Sequence, residues 1–472
     1  MRAKRHRLIA CLSIENKPGS LTMPGIKETM REMSRIPDAS RGLFAARFPA
    51  RLPVTDEDGE WPMKMPESGT AWKTLKSEMA SRSAHDVKWR EGKTAVYVFN
   101  AGPDVERVQK EAYTLFMSEN GLGPMAFPSL KKMEDEVIAM GLDLLHAPEG
   151  AAGNITSGGT DSITMAMKTA RDYARKEKGL KGQPNIVIPW SAHPAFDKAA
   201  MMMEIEIRRV ALRADLLADV VAMDKAADAN TIMIVGSAPC FPYGLIDPIP
   251  ALGSLAQARG LWLHVDACVG GYIAPFVRMN GGDIPDFDFA VPGVSSMSAD
   301  LHKYGYCAKG ASTVLFRSEA LRAHMVFDCA DWPGGRMVTP TLAGTRPGGA
   351  IAAAWAVMNF LGVEGYRAKH QQVTQAREII QSGVEAMGFT VMGKPQLGLL
   401  AFSHPTLDAF AIWGKLFERG WFTSLTTQPK GLHLMLSPFH LQVAGTYLAD
   451  LAWALDEIKS GQTGKARELR YS

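Results

Sequence analysis

Cysteine is scarce in this chain of 472 residues, with only five scattered from Cys11 to Cys329. They form neither a CxxC pair nor a disulfide framework, so they do not predict a chain held together by disulfide bonds. No pair of histidines or cysteines has the spacing of metal ligands, and we expect no metal site. A reducing cytoplasm is the simplest compartment for such a chain.

Long apolar runs are missing as well, since the chain has no stretch of about twenty apolar residues that could span a membrane. The short run 8–12 is stopped by Glu15 and has no clear cleavage site after it, so it does not predict a signal peptide. Met23 is a plausible alternative start. Residues 1–22 therefore need not belong to the folded protein.

Neither sign of charge dominates, because the net charge is +3 and 21% of the residues are charged. A nucleic-acid-binding protein would show a concentrated basic face. Here the basic residues gather only in a tail from Arg2 to Arg7, which is typical of a frayed end. We expect no nucleic-acid partner.

The chain does have enough apolar residues, 46%, for a large core and more than one domain. We predict an irregular N-terminal segment at 1–95, a large domain at 96–347 and a smaller α+β domain at 348–472. In the large domain, short apolar strands alternate with helices after a glycine-rich turn near Gly153. Strands are predicted at 185–188, 231–235, 261–265 and 313–316. This alternation is typical of a mostly parallel sheet covered on both faces, an α/β fold.

The run Ser298–Gly305 carries the strongest chemical signal. Lys303 directly follows His302, at the end of an apolar run and just before a small-residue turn. A lysine in this setting suits a Schiff base to pyridoxal phosphate, with the neighbouring histidine reaching the phosphate. A single lysine is more often a solvated surface residue. Whether Lys303 is a cofactor lysine therefore depends on finding the other parts of a cofactor site in the sequence.

The segment Thr156–Ser162 is a candidate for the phosphate site, because its glycines open a predicted helix. Backbone amides at a helix N-terminus attract anions, and Thr160 or Ser162 could add a hydroxyl. An ordinary capped helix start would look the same.

Two further candidates follow predicted strands. Asp266 ends the strand 261–265 and could pair with the pyridinium nitrogen, although a helix cap or a salt bridge explains it equally well. His193 follows the strand 185–188 and could stack on the cofactor ring, although a lone histidine is more often structural. We interpret His264 as structural, since it lies deeper in the sheet than Asp266. Together, and in this order, the parts favour a pyridoxal phosphate enzyme.

The chain resembles the sphingosine-1-phosphate lyase family over residues 95–370. The resemblance is carried by the run from Ser298 to Gly310, the block Thr341–Gly349 and the segment His264–Cys268. The wider group is that of the type I pyridoxal enzymes related to group II amino-acid decarboxylases. The resemblance therefore implies a type I fold, a pyridoxal phosphate cofactor and a homodimer with shared active sites.

By this resemblance, Lys303 is the Schiff-base lysine, Asp266 the pyridinium partner and His193 the stacking residue. The residues implied to bind the cofactor phosphate are Gly159, Thr160 and His302, with Gly344 and Thr345 reaching it from the neighbouring subunit. The residues that match the substrate pocket are Asn120, for binding, and Tyr97, Tyr243 and Lys309, for catalysis. Tyr97 as a core aromatic and Lys309 as a turn lysine are the alternatives.

One position departs from the family pattern Asn-Pro-Leu-His, since this chain has Asn120-Gly121-Leu122-Gly123. The histidine expected near the phosphate end of the substrate is replaced by Gly123. This change leaves the cofactor chemistry intact but bears on recognition of a long-chain phosphate ester.

Three functions are compatible with these residues. The first is retro-aldol cleavage of a β-hydroxy amine, phosphorylated or not, to an aldehyde and an amine, as expected in sphingolipid metabolism. The second is α-decarboxylation of an amino acid, a reaction of carboxylic acid metabolism that needs the same electron sink. The third is a non-catalytic oligomer that retains the fold, which Lys303, Asp266 and His193 argue against.

Overall fold

The computed structural model describes residues 65–462. Two compact units divide the chain between Ala84 and His85. The described part of the first unit contains helix α1 (Trp72–Arg82), so the prediction of irregular structure was wrong there. The basic tail, Cys11 and Met23 lie outside the described residues. No helix within 65–462 is long and apolar enough to cross a membrane.

A seven-stranded sheet forms the centre of the second unit. Its strands are β1 (Ala152–Thr156), β2 (Asn185–Pro189), β3 (Glu206–Val210), β4 (Thr231–Ser237), β5 (Trp262–Asp266), β6 (Val294–Ala299) and β7 (Ser312–Phe316). Their order is β1-β7-β6-β5-β4-β2-β3, and only β7 pairs antiparallel with its two neighbours. The predicted mostly parallel sheet is confirmed.

Apolar side chains on both faces of the sheet explain why its central strands are continuous apolar runs. In β2, Val187 belongs to one core cluster, whereas Ile186 and Ile188 belong to another. Successive side chains of a strand point to opposite faces, so each face buries its own layer of helices. Leu252 packs in the first cluster and Phe196 in the second.

The connecting helices of this region cover the sheet. They are α2 (Pro103–Leu115), α3 (Pro128–Leu144), α4 (Gly159–Glu177), α5 (Ala195–Met203), α6 (Val220–Ala226), α7 (Ile249–Arg259), α8 (Ala274–Met279) and α9 (Glu319–Arg322). A two-stranded ribbon, β8 (Phe327–Cys329) and β9 (Met337–Thr339), follows α9.

The C-terminal region is built from the long helix α10 (Gly348–Ala386), interrupted at Gly362, and a four-stranded antiparallel sheet. The strands are β10 (Thr390–Val391), β11 (Leu399–Ser403), β12 (Ser424–Thr427) and β13 (Lys430–Met435), and the helices are α11 (Ala409–Glu418) and α12 (His440–Lys459). This α+β composition agrees with the predicted one. Residues on both sides of the predicted boundary at 95 bond to this region, because Phe422 N donates to Lys93 O and Phe439 N donates to Asn100 O. The three-part domain division stays a prediction.

The turn predicted near Gly153 was wrong, because Gly153 lies inside β1. A Cβ there would come within 2.5 Å of Leu315 Cδ2 and 2.8 Å of Val314 O. Close packing against β7, rather than a turn, therefore explains this glycine.

Candidate active site

The carboxyl ends of β2, β5 and β6 meet at one edge of the sheet, where parallel α/β sheets usually bind ligands. They surround a cleft of about 440 Å³. Six of the predicted site residues line it: Gly159, Thr160, His193, Asp266, His302 and Lys303. Residues 109 positions apart along the chain, Thr160 and Val269, thus share one cavity. The predicted cofactor residues contributed by one chain are brought together.

One end of the cleft is the N-terminus of helix α4. A Cβ on Gly159 would lie 2.8 Å from both Asp300 Oδ2 and Cys268 Sγ, so only glycine fits this close approach. Ser162 is fully buried, and its hydroxyl lies 2.6 Å from Thr156 Oγ1 and 2.8 Å from Ser312 Oγ. Thr160 is exposed to the cleft instead. Of the two hydroxyls left open by the sequence, that of Thr160 is therefore the accessible one.

Asp300 contacts His302 and Lys303, the two residues of the run Ser298–Gly305 that line the cleft beside it. Its Oδ2 lies 3.1 Å from Lys303 Nζ and 3.6 Å from His302 Nε2, and the carboxylate is buried. Burial alone would raise the pKa of Asp300, but the charges of Lys303 and His302 outweigh this effect and lower it. The carboxylate is thus ionised and fixes the lysine amine at the cleft.

Asp300 was missed as a site residue in the sequence. It directly follows β6, as Asp266 ends β5, but β6 was not predicted as a strand, so the strand-end criterion did not select it. The spacing of three residues to Lys303 is the signal that could have found Asp300, because a turn at this point brings the two side chains together.

Asp266 lies across the cleft and is 7% exposed. Its Oδ1 accepts hydrogen bonds from Cys268 N at 3.1 Å and Ser298 Oγ at 3.3 Å. His193 also lines the cleft, and its Nδ1 accepts from Ala195 N at 3.1 Å. Burial lowers the pKa of His193 although the charge of Asp266 opposes this, so the ring is neutral at neutral pH and suited to stacking.

Lys309 and Tyr97 lie next to each other rather than on the cleft wall. The Nζ of Lys309 donates to Tyr97 O at 2.9 Å and to His302 O at 3.4 Å. Loss of hydration around the amine lowers the pKa of Lys309 to about 8, and the charge of Lys303 adds to this effect. The side chain keeps solvent contact, so this amine can exchange protons near neutral pH.

Four further predicted residues, besides Tyr97 and Lys309, do not line the cleft of their own chain. The buried Tyr243 donates its hydroxyl to Gln428 O, and Asn120 Oδ1 accepts from Leu122 N at 3.0 Å. Gly344 packs beside Leu122, where a Cβ would be 3.6 Å from Leu122 Cδ1. Thr345 follows Gly344 in the same loop and does not line the cleft either. The structure therefore brings neither the predicted substrate residues nor this loop into the cavity.

The cleft fits pyridoxal phosphate by shape and by donor chemistry. The helix N-terminus and Thr160 offer donors to a phosphate at one end, and the Asp266 carboxylate offers an acceptor to a ring nitrogen. Lys303 supplies the amine and Gly159 leaves the room that any larger residue would fill.

Comparison with known proteins points the same way. Residues 56–404 match the pyridoxal-dependent decarboxylase conserved domain. The sphingosine-1-phosphate lyase of rice (Oryza sativa subsp. japonica) is 41% identical over 393 residues, which is 81% of this chain and 72% of that protein. Sphingosine-1-phosphate lyase 1 of Mus musculus is 37% identical, over 88% of this chain and 73% of that protein. The chain belongs to the sphingosine-1-phosphate lyase family.

A solved structure extends the comparison. The sphingosine-1-phosphate lyase of Burkholderia pseudomallei superposes with a TM-score of 0.81 at 36% identity, over 85% of this chain and 93% of that one. The predicted family, the α/β type I fold, the cofactor and the enzyme class are therefore confirmed, and the protein is a pyridoxal phosphate-dependent lyase. The roles of individual residues stay predictions.

Proposed function

We propose that this lyase cleaves the Cα–Cβ bond of a phosphorylated β-hydroxy amine of the sphingosine-1-phosphate type. The reaction takes the proton from the β-hydroxyl, turns Cβ into an aldehyde carbon and leaves the electron pair of the broken bond on Cα. A proton then adds to Cα, so the second product is an aminoalkyl phosphate. No oxidant or other co-reactant is needed.

When bound, pyridoxal phosphate withdraws the electron pair left on Cα. Asp266 would hold a proton on the ring nitrogen, because its carboxylate is an acceptor at the cleft. Gly159, Thr160 and His302 would hold the phosphate, and His193, which also lines the cleft, would stack on the ring. Lys303 would bind the cofactor aldehyde and return a proton to Cα.

The observation that carries the proposal is the cleft that brings Lys303, Asp266 and His193 together in a member of the sphingosine-1-phosphate lyase family. Lys309, beside this cleft, is the candidate base. Desolvation, helped by the charge of Lys303, lowers the pKa of Lys309 to about 8, so a neutral amine is available near neutral pH. A neutral amine can take the β-hydroxyl proton, the step that starts carbon–carbon cleavage. The Nζ of Lys309 donates to the backbone oxygen of Tyr97, so this candidate base lies next to Tyr97, another predicted catalytic residue.

The test is product analysis with purified protein loaded with pyridoxal phosphate. Sphingosine-1-phosphate should yield a long-chain aldehyde and ethanolamine phosphate in equal amounts, and unphosphorylated sphingosine should yield less. Absence of aldehyde from all phosphorylated sphingoid bases and from shorter β-hydroxy amines would overturn the proposal.

Amino-acid decarboxylation is the competing function, and Gly123 is the residue that favours it. The histidine that the family places near the substrate phosphate is absent at this position. Release of carbon dioxide from an amino-acid panel, without aldehyde, would establish this alternative. The high identity to lyases over most of the chain makes cleavage the better supported function.

We further propose that the enzyme is a homodimer in which the loop with Gly344 and Thr345 reaches the cleft of the partner. The support is that this loop does not line its own cleft, while Leu122 and Leu342 beside it are 41% and 61% exposed. Exposed apolar side chains of this kind suit an interface.

Co-expression of Lys303→Ala with Thr345→Asp tests this arrangement. Each variant alone should be inactive. The mixture should regain about a quarter of wild-type activity, because half of the dimers are mixed and each has one intact site. No recovery in verified mixed dimers would contradict a loop that acts on the partner's cleft.

We also propose that the protein is located in the cytoplasm. Cys240, Cys268, Cys307 and Cys329 are all free, which suits a reducing compartment. Fractionation of cells that express the full chain would test this location.

A further inference from the structure

Behind Asp266, two neighbouring strands carry four buried polar side chains on one face of the sheet. On β5, Trp262 lies four residues before Asp266 and His264 lies two residues before it, so all three side chains are on one face. Ser296 and Ser298 lie on β6. The parallel register pairs His264 with Ser296 and Asp266 with Ser298. All four are at most 3% exposed.

These side chains form one continuous series of hydrogen bonds that ends at Asp266. Trp262 Nε1 lies 2.7 Å from Ser296 Oγ, and His264 Nδ1 lies 2.8 Å from the same oxygen. His264 Nε2 lies 3.2 Å from Ser298 Oγ, which in turn lies 3.3 Å from Asp266 Oδ1. We refer to Trp262, Ser296, His264 and Ser298 as the donor chain.

The two ends of the donor chain fix the direction of every proton in it. An indole nitrogen can only donate and an ionised carboxylate can only accept. Ser298 therefore donates to Asp266 and accepts from Nε2–H of His264. Since a neutral imidazole has one N–H, its Nδ1 accepts the hydroxyl proton of Ser296, whose oxygen accepts from Trp262.

The neutral form of the histidine is the one that burial favours. Burial lowers the pKa of His264 to about 4, although the charge of Asp266 opposes the shift. The other tautomer would turn Ser298 towards His264 and break the bond to Asp266, so it satisfies one hydrogen bond fewer. All four donors therefore point towards the Asp266 carboxylate.

We propose that the donor chain positions Asp266 for the ring nitrogen of the cofactor, with Ser298 and Trp262 as positioning residues of the lyase reaction. This inference rests on the proposed role of Asp266. The carboxylate of Asp266 accepts its hydrogen bonds from Cys268 N and Ser298 Oγ on Oδ1, which leaves Oδ2 for the cofactor. Donation to a carboxylate favours its charged form, and aligned hydrogen bonds strengthen one another.

The experiment compares holoenzyme variants by the absorbance spectrum of the bound cofactor, its dissociation constant, kcat and KM. Ser298→Ala removes the last donor, Ser298→Thr keeps the hydroxyl, and Trp262→Phe removes the first N–H together with the pyrrole ring that carries it. Ser295→Ala is the matched control, because Ser295 lies on the same strand but its hydroxyl bonds to Gly293 O at 3.5 Å instead. Thermal unfolding of each variant reports on folding.

We expect Ser298→Ala to change the cofactor spectrum in the direction of Asp266→Asn and to lower kcat about tenfold, the effect of one hydrogen bond to a charged group. KM should stay within about twofold, since no substrate contact is lost. Ser298→Thr should restore the wild-type spectrum. Trp262→Phe should shift the spectrum the same way by a smaller amount, and Ser295→Ala should leave it unchanged.

Two negative results have different meanings. If Asp266→Asn itself leaves the spectrum unchanged, the assigned role of Asp266 fails. If Asp266→Asn changes the spectrum while Ser298→Ala and Trp262→Phe lower only thermal stability, the donor chain is structural and our inference is overturned. The spectrum needs no substrate, so it tests the inference even if the proposed substrate is wrong.

Discussion

The carboxyl edge of the seven-stranded sheet and the loop pair formed by 119–123 and 342–347 are built in different ways. At the sheet edge, buried charges face a cleft, as Asp266 and Asp300 do. In the loop pair the charges face inward, because Arg346 forms a buried ion pair with Glu134, while apolar side chains such as Leu342 stay exposed. One region lines a cleft with charged side chains, and the other presents apolar side chains outward.

This difference separates cofactor binding from substrate selection. The residues at the sheet edge are connected through Asp300, which contacts both Lys303 and His302. The loop pair carries Asn120, Gly344 and Thr345, none of which lines the cleft of its own chain. Changes at the sheet edge should therefore abolish the cofactor signal of the same chain, whereas changes in the loop pair should act on stability, on selectivity or on the cleft of the partner.

The largest effect is expected from Lys303→Ala at the sheet edge. Without the amine, the visible absorbance of the bound cofactor should disappear, and activity should fall by roughly a thousandfold or more. Spectra and single-turnover aldehyde release measure the two losses. Lys176→Ala, at a lysine that is 75% exposed on α4, is the control and should match the wild type. A visible band that survives in Lys303→Ala would contradict the assignment.

Next in size is Arg346→Met, which removes one partner of the buried pair in the loop pair. Arg346 also donates to Gly121 O at 3.1 Å and to Ile155 O at 3.0 Å. An unpaired Glu134 in this site should lower the free energy of unfolding by about 3–5 kcal/mol. Urea unfolding at fixed protein concentration measures this loss, and Glu134→Gln combined with Arg346→Met should recover part of it. If the single variant is as stable as the wild type, the pair does not hold the loops.

The fold was predictable from the sequence wherever apolar runs are buried on both faces, as in β2, β4 and β5. The hairpin of β12 and β13 was not predicted, because its first strand, Ser424–Thr427, is mostly polar. Helix α1 was missed for a different reason, because the prolines at 53, 62 and 66 before it indicated irregular structure. Its apolar residues Trp72, Leu75 and Met79 do have helical spacing, although none of its residues is buried.

The site shows the same limit at the level of single residues. Asp266 was predictable because it ends a predicted strand, and Lys303 because it follows His302 at the end of an apolar run and just before a small-residue turn. The contact of His264 with Ser298 was not, since it depends on the register between β5 and β6, which shifts between Leu263 and His264. The interpretation of His264 as structural stays a prediction, and the hydrogen-bond partners of its ring appear only once the two strands are aligned.

A smaller effect is expected from Lys309→Met, beside the sheet edge. The pKa of Lys309 is lowered to about 8, chiefly by desolvation, so the neutral amine gains population as the pH rises through 8. If this amine takes the β-hydroxyl proton, kcat/KM of the wild type should rise up to about pH 8 and then level off. The variant should lose about a hundredfold and this rising limb.

The pH profile separates this role from a purely structural one. Lys131→Met, at an exposed lysine of α3 that is paired with Asp135, is the control and should keep the rising limb. A limb near pH 8 that persists in Lys309→Met would assign the proton transfer to another group. Loss of the limb in both variants would point to a general effect of charge.

The smallest expected effect comes from Gly123→His in the loop pair, and it bears directly on substrate selection. A Cβ at Gly123 would meet only Ala126 Cβ, at 3.7 Å, so a side chain fits without strain. If this position faces the phosphate of the substrate, one histidine hydrogen bond to it should contribute about 1.5 kcal/mol, roughly a tenfold lower KM. The gain should appear for sphingosine-1-phosphate and not for sphingosine, and Gly123→Leu should give neither. Equal changes for both substrates would show that the loop pair does not read the phosphate, and selectivity would then reside at the sheet edge with the cofactor.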